Sequence, residues 1–350
     1  KGSQYLFANG LFPTPAIVPL NTTLGFTLPG NLRIRLKSKN NNMTFAIGAD
    51  IGGSHITCQV FDLTKNLPVE NSLARLSVNS HATKEEIVGK WTEAIKKAVA
   101  GRELKSLAGI GFAMPGPFDY REGVAWFKGV QKFDNLYGVD VKNALLKSLG
   151  LSYGFPIRFL NDASSFAVGE AWMGEASRYK RIIALTLGTG FGSTFIKNGL
   201  PVAGTNGIPE DGFLYHIPFK ASVADDYFST RWFLNAYHQK TGTKLSGVRE
   251  LAEKSSGDPD AAALFSAFGK NLGEFLSGWI NRFQADCIVM GGNISKSFPL
   301  FRQEMEQSLE QEGWNVYIYP SKLDETAALF GSAKLCDDTF YNQLIKAKIF

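Results

Sequence analysis

Two glycine-rich turns, each set between two apolar, β-branched runs, constrain the fold of this chain most strongly. The first lies in residues 45–61, FAIGADIGGSHITCQVF, and the second in residues 182–196, IIALTLGTGFGSTFI. Each pattern predicts a strand, a tight turn and a second strand, because glycine lets the backbone reach positive φ and lie close to a ligand. Two such turns that face each other would offer backbone N–H groups to an anion from both sides. The pattern therefore predicts a polyphosphate site that does without a lysine-containing phosphate loop.

The order of the other elements predicts a duplicated mixed α/β fold. Thr83 and Glu86 have the spacing of a capping box, which predicts the start of an amphipathic helix that Gly101 ends. Buried strands are expected at 107–113, 155–160, 287–290 and 315–319, and helices at 139–149, 163–172, 225–240, 258–283 and 325–335. Because a hairpin followed by helix-linked strands occurs twice, we expect two similar halves with the ligand in the cleft between them.

Charge and cysteine content exclude several classes of function. The net charge of +5 over 350 residues is misleading, because residues 1–42 hold five bases and no acid and the remainder is balanced. A basic surface for nucleic acid is therefore not expected. No apolar run approaches the length that spans a bilayer, so no membrane partner is expected. Cys58, Cys287 and Cys336 are far apart in apolar contexts, which indicates buried thiols of a reducing, cytoplasmic compartment.

Residues 1–42 form a segment rich in proline, asparagine and phenylalanine, and Met43 directly precedes the first predicted strand. Prolines break its apolar stretches, so it lacks the continuous core of a signal peptide. We interpret it as an N-terminal extension outside the native domain. A functional arm that docks on the body or on a partner subunit is the alternative.

Five ordered segments together resemble the ROK (repressor, ORF, kinase) family of sugar kinases, of the glucokinase and N-acetylmannosamine kinase type. They are residues 50–54, 109–117, 161–163, 187–193 and 290–294, within a resemblance that runs from about Met43 to Leu335. Membership would imply the actin-like ATPase (ribonuclease H-like) fold, a duplicated α/β domain with two lobes and a central cleft. The lobes would comprise residues 43–162 plus 336–350, and residues 163–335.

The resemblance and the chemistry together assign two carboxylates. Asp162 would be the catalytic base, which accepts the proton of a sugar hydroxyl as that hydroxyl attacks the γ-phosphate of ATP. A helix N-cap is the alternative for an aspartate at this position. Asp50 would hold Mg²⁺, through water, because Mg²⁺ prefers a carboxylate plus phosphate oxygens and keeps several waters.

The same resemblance assigns the glycine turns to ATP. The β- and γ-phosphates would be bound by small residues of the two turns, Gly52, Gly53, Ser54, Gly188, Thr189 and Gly190. Gly291, Gly292 and Asn293 would line the adenosine. For each glycine the alternative is a plain tight turn.

On the sugar side the chain departs from the family pattern. Relatives carry Gly-Glu-Ile-Gly-His where this chain has residues 212–216, so Phe213 replaces the glutamate that binds sugar hydroxyls and His216 is retained. Glu210 or Asp211 could compensate, or the preferred sugar could differ, since a site built around a hydrogen bond discriminates strongly. His216 could equally be a core histidine. Asn161, next to the base, is expected to contact the sugar.

The zinc-binding cysteine cluster of the family is also missing, so no structural zinc is expected and packing must hold that loop. Asp225 could replace the second sugar-binding glutamate, with a solvated acid at a helix N-terminus as the alternative. Asn135 lies where relatives place a sugar-contacting loop.

The leading hypothesis is an ATP-dependent kinase for a hexose or an N-acylhexosamine, with ATP and Mg²⁺ as its small-molecule requirements. A catalytically weak sugar-binding or sensor protein of the same fold is the alternative, favoured by Phe213 and the missing cysteines. A repressor is disfavoured, because residues 1–42 cannot form a winged-helix domain. A homodimer is possible through the apolar helix at 258–283.

Overall fold

The computed structural model describes residues 44–99, 101–129, 132–205 and 207–350, in which two mixed β-sheets are the main elements. The extension predicted for residues 1–42 lies outside this part of the chain. The elements of the first half are β1 (Phe45–Ile51), β2 (His55–Asp62), β3 (Leu67–Pro68), β4 (Ala74–Ser77), α1 (Lys84–Val99), β5 (Gly109–Met114), β6 (Phe118–Asp119), β7 (Val124–Ala125), α2 (Val141–Leu149) and β8 (Ile157–Asn161).

The second half contains the longest helix and the second sheet. Its elements are α3 (Asp162–Met173), β9 (Arg181–Leu187), β10 (Phe191–Lys197), β11 (Leu200–Val202), β12 (Pro218–Phe219), β13 (Ser222–Val223), α4 (Ala224–Tyr227), α5 (Thr230–Thr241), α6 (Val248–Lys254), α7 (Pro259–Phe283), β14 (Cys287–Gly291), α8 (Phe298–Gln311), β15 (Tyr317–Pro320), α9 (Thr326–Lys334) and α10 (Asp338–Lys346).

The two sheets repeat one topology, which confirms the predicted duplication. In the first sheet β1 pairs antiparallel with β2 and parallel with β5, and β5 pairs parallel with β8. In the second sheet β9 pairs antiparallel with β10 and parallel with β14, and β14 pairs parallel with β15. Each sheet is thus a hairpin followed by two parallel strands. The parallel strands of each sheet end at one edge, where the chemistry-bearing residues were expected.

Each sheet has its own hydrophobic core. Around the first sheet, Trp91 of α1 and Phe112 of β5 are fully buried in one cluster. Around the second, Phe195 of β10 and Phe268 of α7 belong to another cluster that is rich in aromatic rings. Side chains on these faces drive folding through the removal of apolar surface from water. The two cores keep the two strand-end edges rigid. The predicted lobe boundaries stay a prediction.

The capping box predicted for α1 is present. The backbone N–H of Glu86 donates to Thr83 Oγ1 at 3.3 Å, and the N–H of Thr83 donates to Glu86 Oε2 at 3.2 Å. Two N–H groups that the helix itself cannot pair are therefore satisfied.

The helix predicted over 225–240 is broken in two. Ser229 is fully buried with extended backbone angles, φ −119° and ψ 164°, so α4 ends at Tyr227 and α5 begins at Thr230. The break lets the N–H of Thr230 donate to the carbonyl of Gly188 at 2.8 Å. A tertiary contact with the second glycine-rich turn therefore overrides the local helical preference.

Helices α3 and α9 cross between the two sheets at very short range. A Cβ on Gly169 of α3 would lie 1.9 Å from the carbonyl oxygen of Ala327, and one on Gly331 of α9 would lie 1.8 Å from that of Ser165. Only glycine fits at these two positions, because any side chain would overlap the backbone of the other helix. α3 follows the first sheet, and α9 follows the second sheet and packs against the first. In the described residues, no helix has the length and apolar composition needed to cross a membrane.

Candidate active site

The strand-end edges of the two sheets enclose a cavity of about 280 Å³. The first sheet contributes Asp50 near the end of β1, Gly52 after β1, and Asp162 after β8. The second contributes Gly188 after β9, and Gly292 with Asn293 after β14. We call this the smaller cavity. The structure therefore brings together one residue or more from each motif that the sequence assigned to ATP and Mg²⁺.

The first glycine turn, residues 52–54, is closed by its own backbone. The N–H of Gly52 donates to the carbonyl of His55 at 2.9 Å, and a Cβ on Gly52 would lie 2.9 Å from the His55 ring. The hydroxyl of Ser54 lies 3.3 Å from His55 Nδ1. A side chain at position 52 would push His55 away, so glycine keeps this turn compact beside the cavity.

The second glycine turn, residues 188–190, is held from outside by a carboxylate and a guanidinium. Asp225 Oδ1 accepts from the N–H of Phe191 at 2.6 Å, and Asp225 Oδ2 forms an ion pair with Arg231. Arg231 Nη1 in turn donates to the carbonyl of Thr189 at 3.1 Å. These bonds fix the backbone around the turn. Asp225 therefore has partners on the phosphate side of the cleft, and its predicted role as a sugar ligand stays a prediction.

The third glycine turn follows β14 and requires glycine on steric grounds. Gly292 has φ 85° and ψ 170°, a region that is open essentially to glycine alone. A Cβ there would lie 2.4 Å from the carbonyl oxygen of Leu187, and one on Gly291 would lie 2.5 Å from the Phe166 ring. The pair allows β14 to end close against β9. Asn293 follows it and is exposed at the mouth of the cavity.

Asp50, near the end of β1, and Asp162, directly after β8, lie at the same strand-end edge of one sheet, with β5 between the two strands. The two carboxylates repel each other electrostatically. Burial raises the pKa of Asp50 to about 7, and the negative charges of Asp162 and Glu325 add to that rise while Arg75 opposes it. Burial also raises the pKa of Asp162, against the stabilising effect of the Ala163 N–H and of the Lys132 charge. A raised carboxyl pKa in a cleft is typical of a proton-accepting or metal-binding site.

The N-cap of α3 is Asn161 rather than Asp162. Asn161 Oδ1 accepts from the N–H groups of Ala163 at 3.0 Å and Ser164 at 3.2 Å. Asp162 Oδ1 accepts from the Ala163 N–H at 2.8 Å, which leaves its second oxygen without a hydrogen-bond partner among the described residues. The N-cap role, which was the alternative explanation for Asp162, is therefore filled by Asn161. Asn161 also donates from Nδ2 to the hydroxyl of Tyr120 at 3.1 Å.

The donor set at Asp50 fits a hard divalent cation. No cluster of three or more metal-binding side chains occurs among the described residues. Mg²⁺ does not need such a cluster, because it is commonly bound through one or two carboxylates together with phosphate oxygens and water. A cation bound at Asp50 would relieve the repulsion between its carboxylate and those of Asp162 and Glu325.

A larger cavity of about 590 Å³ lies on the other side of Asn161. Besides Asn161, it is lined by Tyr120, Trp126, Glu210 and Phe213. Asp119, also in the lining, accepts the N–H groups of Arg121 and Glu122 at 3.1 and 2.9 Å, as expected of a turn residue. The lining thus mixes aromatic rings with carboxylates, which suits an amphipathic ligand. Phe213 lies in this wall without a hydrogen-bonding side chain.

His216 and Asn135 lie outside the lining of both cavities. His216 is exposed, with Nδ1 3.6 Å from Asp211 Oδ2, so it is not a core histidine. Asn135 donates from Nδ2 to the carbonyls of His81 and Ala82, at 3.1 and 2.9 Å. The side-chain amide of Asn135 therefore links its own connection to the loop that contains His81 and Ala82. The predicted contacts of His216 and Asn135 with a sugar stay predictions.

Aromatic packing holds the loop where the family's cysteine cluster would lie. The ring of Phe219 lies 5.2 Å from that of Tyr227, 5.4 Å from that of Phe228 and 5.3 Å from that of Phe275, measured between centroids. Such contacts add to the stabilisation that burial itself supplies. The loop has a core of its own in place of cysteine ligands.

Sequence reasoning missed two side chains at the site. Tyr120 bonds to Asn161, and burial together with the Asp162 charge raises its pKa. Lys132 approaches the first glycine turn, with Cδ 3.6 Å from the place a Cβ would occupy on Gly53. Both residues lie on connections, where no periodic pattern marks them. The only signal is proximity in sequence, because Tyr120 follows the resemblance segment 109–117 and Lys132 precedes the predicted sugar contact Asn135.

Comparisons with known proteins agree with this geometry. The sequence model of the ROK family matches residues 46–339. A glucokinase of Thermotoga maritima is 25% identical, over 83% of this chain and 96% of its own length. An N-acetyl-D-glucosamine kinase of Mannheimia succiniciproducens is 27% identical, over 82% of this chain and 98% of its own length.

A solved structure of a ROK family glucokinase from Streptomyces griseus, in complex with glucose and AMPPNP, superimposes with a TM-score of 0.66. It is 21% identical, and the match covers 83% of this chain and 98% of that one. At this identity the likeness establishes the shared fold. The family match, which spans most of the chain and every glycine turn described above, shows that this protein belongs to the ROK family.

Proposed function

We propose that this protein is an ATP-dependent kinase that transfers the γ-phosphoryl group of ATP to a hydroxyl of a hexose or an N-acylhexosamine. The observation that carries the proposal is the position of Asp162, which lines the smaller cavity together with all three glycine turns. Its neighbour Asn161 lines the larger cavity. The base therefore stands where a phosphate site and an acceptor site meet. The curated relatives, which are glucokinases and N-acetyl-D-glucosamine kinases, support the same class of reaction.

The chemical step needs one proton acceptor and a fixed phosphate chain. The acceptor hydroxyl gives its proton to Asp162 while its oxygen forms a bond to the γ-phosphorus, and the bond between that phosphorus and the bridging oxygen of ADP breaks. ADP keeps the electron pair of the broken bond. The glycine turns contribute by holding the phosphates in place through backbone N–H groups, which need not reorganise during the transfer.

Burial makes Asp162 a better base than an exposed aspartate. Its raised pKa means that the carboxylate holds an accepted proton more firmly. Asp50 would hold Mg²⁺, which supplies charge neutralisation on the phosphate oxygens.

The larger cavity supports an amphipathic acceptor. Its volume of about 590 Å³ and its lining of Tyr120, Trp126, Glu210 and Phe213 offer both ring faces and hydrogen-bond acceptors. A hexose presents apolar C–H faces and hydroxyl edges, and an N-acyl group adds a small apolar substituent. We assign Asn161 and Glu210, which line this cavity, as candidate sugar contacts, and His216, Asn135 and Asp225, which lie outside its lining, as weaker ones.

The decisive experiment measures ADP release from Mg-ATP over a panel of hexoses and N-acylhexosamines. Asp162→Asn keeps the size of the side chain and removes the base, so turnover should fall by about 10³-fold or more. Asp134→Asn, an exposed aspartate in the connection before α2, is the matched control and should turn over normally. Turnover that survives in Asp162→Asn would remove this residue from the mechanism.

One observation favours a second candidate, a sugar-binding protein with weak catalysis. Phe213 places a ring in the wall of the larger cavity where the family pattern has a glutamate. If folded wild-type protein binds a sugar in calorimetry but releases no ADP in its presence, this second function replaces the first.

Location and assembly belong to the same proposal. All three cysteines are buried and free, which supports a reducing compartment such as the cytoplasm. A homodimer that needs neither nucleic acid nor membrane remains our prediction, and sedimentation velocity would test its assembly.

A further inference from the structure

The charges around the smaller cavity are unevenly neutralised. Three cations near the cleft already have carboxylate partners. Arg75 Nη1 lies 2.5 Å from Glu325 Oε2, Lys296 Nζ lies 3.2 Å from Asp324 Oδ2, and Arg231 forms its ion pair with Asp225. A cation that is already paired with a carboxylate attracts an incoming anion less strongly.

Lys132 differs from these three. Within the described ranges of the chain, no carboxylate lies inside the 4.0 Å ion-pair distance of its ammonium group. Its side chain is half-buried and passes the first glycine turn, with Cδ 3.6 Å from the Cβ position of Gly53. Its charge also acts on Asp162, whose pKa it lowers against the effect of burial. The Lys132 side chain therefore runs beside the first glycine turn, and its charge is close enough to act on the base.

The backbone next to Lys132 is firmly held. Phe133 is fully buried with left-handed backbone angles, φ 61° and ψ 21°, and its N–H donates to the carbonyl of Ser80 at 2.9 Å. Its ring packs against those of Trp91, at 5.6 Å between centroids, and Phe127, at 5.7 Å. Phe133 thus ties the adjacent Lys132 to the core, which limits the positions that its ammonium group can reach.

We propose that Lys132 binds the transferred γ-phosphoryl group and stabilises the negative charge on its equatorial oxygens during transfer. This inference rests on the proposed kinase function. The Lys132 side chain lies beside the turn assigned to the phosphates, and the γ-phosphorus must lie between that turn and the base assigned to the acceptor hydroxyl. A cation held in that place in advance costs no reorganisation when charge shifts in the transition state.

A purely structural role for Lys132 makes a different prediction. If the lysine only covered the Gly53 turn, its loss would weaken the binding of all nucleotides to the same extent. If it only adjusted the basicity of Asp162, its loss would move the pH profile of turnover and leave nucleotide affinity unchanged. A contact with the γ-phosphoryl group instead separates nucleotides that carry this group from those that lack it.

The experiment compares Lys132→Met, Lys132→Arg and wild type in binding and in turnover. Calorimetry measures the Kd of the β,γ-imido analogue of ATP and of ADP, both with Mg²⁺, and ADP release measures kcat. For Lys132→Met we expect analogue binding to weaken about tenfold, ADP binding to change less than twofold, and kcat to fall about 10²-fold. Lys132→Arg keeps the charge and should retain most of the discrimination between the two nucleotides.

Lys128→Met is the matched control, because it removes the same charge from an exposed position of the same connection. It should bind both nucleotides and turn over like wild type, and thermal unfolding of each variant checks its fold. Equal loss of analogue and ADP affinity in Lys132→Met would overturn the inference, and so would behaviour indistinguishable from Lys128→Met.

The two proposals fail in different ways. A wild-type protein without sugar-dependent ADP release contradicts the kinase function, while the comparison of analogue and ADP still tests the contact of Lys132. A wild-type protein that phosphorylates sugars, together with no nucleotide discrimination by Lys132, contradicts this inference alone.

Discussion

On the side of the cleft that faces the smaller cavity, here the nucleotide side, three glycine turns line the walls together with carboxylates such as Asp50 and Asp162. On the side of the larger cavity, here the acceptor side, the walls are mainly side chains, including Tyr120, Trp126 and Phe213. A glycine turn depends on close approach of the backbone, and at Gly292 also on positive φ, which few residues other than glycine allow. A wall of side chains can change its chemistry at one position without disturbing the fold. The departure from the family pattern that the sequence predicts, Phe213 in place of a glutamate, falls on the acceptor side.

The largest effect should come from a substitution that tests the nucleotide side. Gly292→Ala forces a Cβ to 2.4 Å from the Leu187 carbonyl oxygen in a glycine-only region, so we expect unfolding to become easier by about 3 kcal/mol or more. Gly313→Ala also has positive φ, at 81°, but open space around the new Cβ, and should cost about 1 kcal/mol. Chemical denaturation measures both. Equal losses would show that crowding at the third turn is unimportant.

Asp225 tests the difference between the two sides of the cleft, because the family pattern assigns it to the sugar whereas its contacts hold the second glycine turn. Asp225→Ala removes the bond to Phe191 N–H and the ion pair with Arg231, so the KM for ATP should rise about tenfold. The KM for the sugar should change less than twofold. Steady-state kinetics with each substrate varied in turn measures both. Asp226→Ala removes the exposed neighbouring charge and is the control. A larger rise in the sugar KM than in the ATP KM would return Asp225 to the acceptor side.

Phe213→Glu tests the acceptor side of the cleft. A carboxylate in the wall of the larger cavity adds a strong acceptor for a sugar hydroxyl, so the KM of the best hexose should fall about fivefold while the KM for ATP stays constant. Phe213→Gln has the same length without the charge and should give a smaller gain. If the hexose KM rises in both variants, the ring of Phe213 itself contacts the substrate.

The last prediction concerns the pH dependence of stability. In the folded protein the pKa of Asp50 is about 7, above its ordinary value near 4 in an unfolded chain. The folded state therefore binds this proton more tightly, and the resulting stabilisation is full below about pH 4 and is lost as the pH rises to about 7. The free energy of unfolding without nucleotide should fall more from pH 5 to pH 8 in wild type than in Asp50→Asn. Denaturation at both pH values measures this, and Asp134→Asn should keep the wild-type slope.

Local patterns predicted the parts of the molecule that are themselves local. The hairpins around the glycine turns and the capping box of α1 were predicted because their determinants lie within a few residues. The break before Thr230 was not, since it depends on the carbonyl of Gly188, far away in the chain. The positions of Tyr120 and Lys132 at the site were not predicted, for the same reason. Neither residue has a local signature, and both reach the site because β6, β7 and the following connection fold back over the strand ends.

The crossing of α3 and α9 has a consequence for how the cleft can close. Backbone meets backbone at Gly169 and Gly331, so no layer of side chains lies between the helices to change rotamers and let them slide. Sliding motions in proteins rely on such a layer, whereas rotation about a fixed contact does not. The crossing is thus a pivot, and the two sheets can approach each other over a bound substrate only by swinging about it. A single methyl group at Gly169 or Gly331 would push the two helices apart and so keep the two sheets from closing over a substrate, although neither glycine touches the reacting groups.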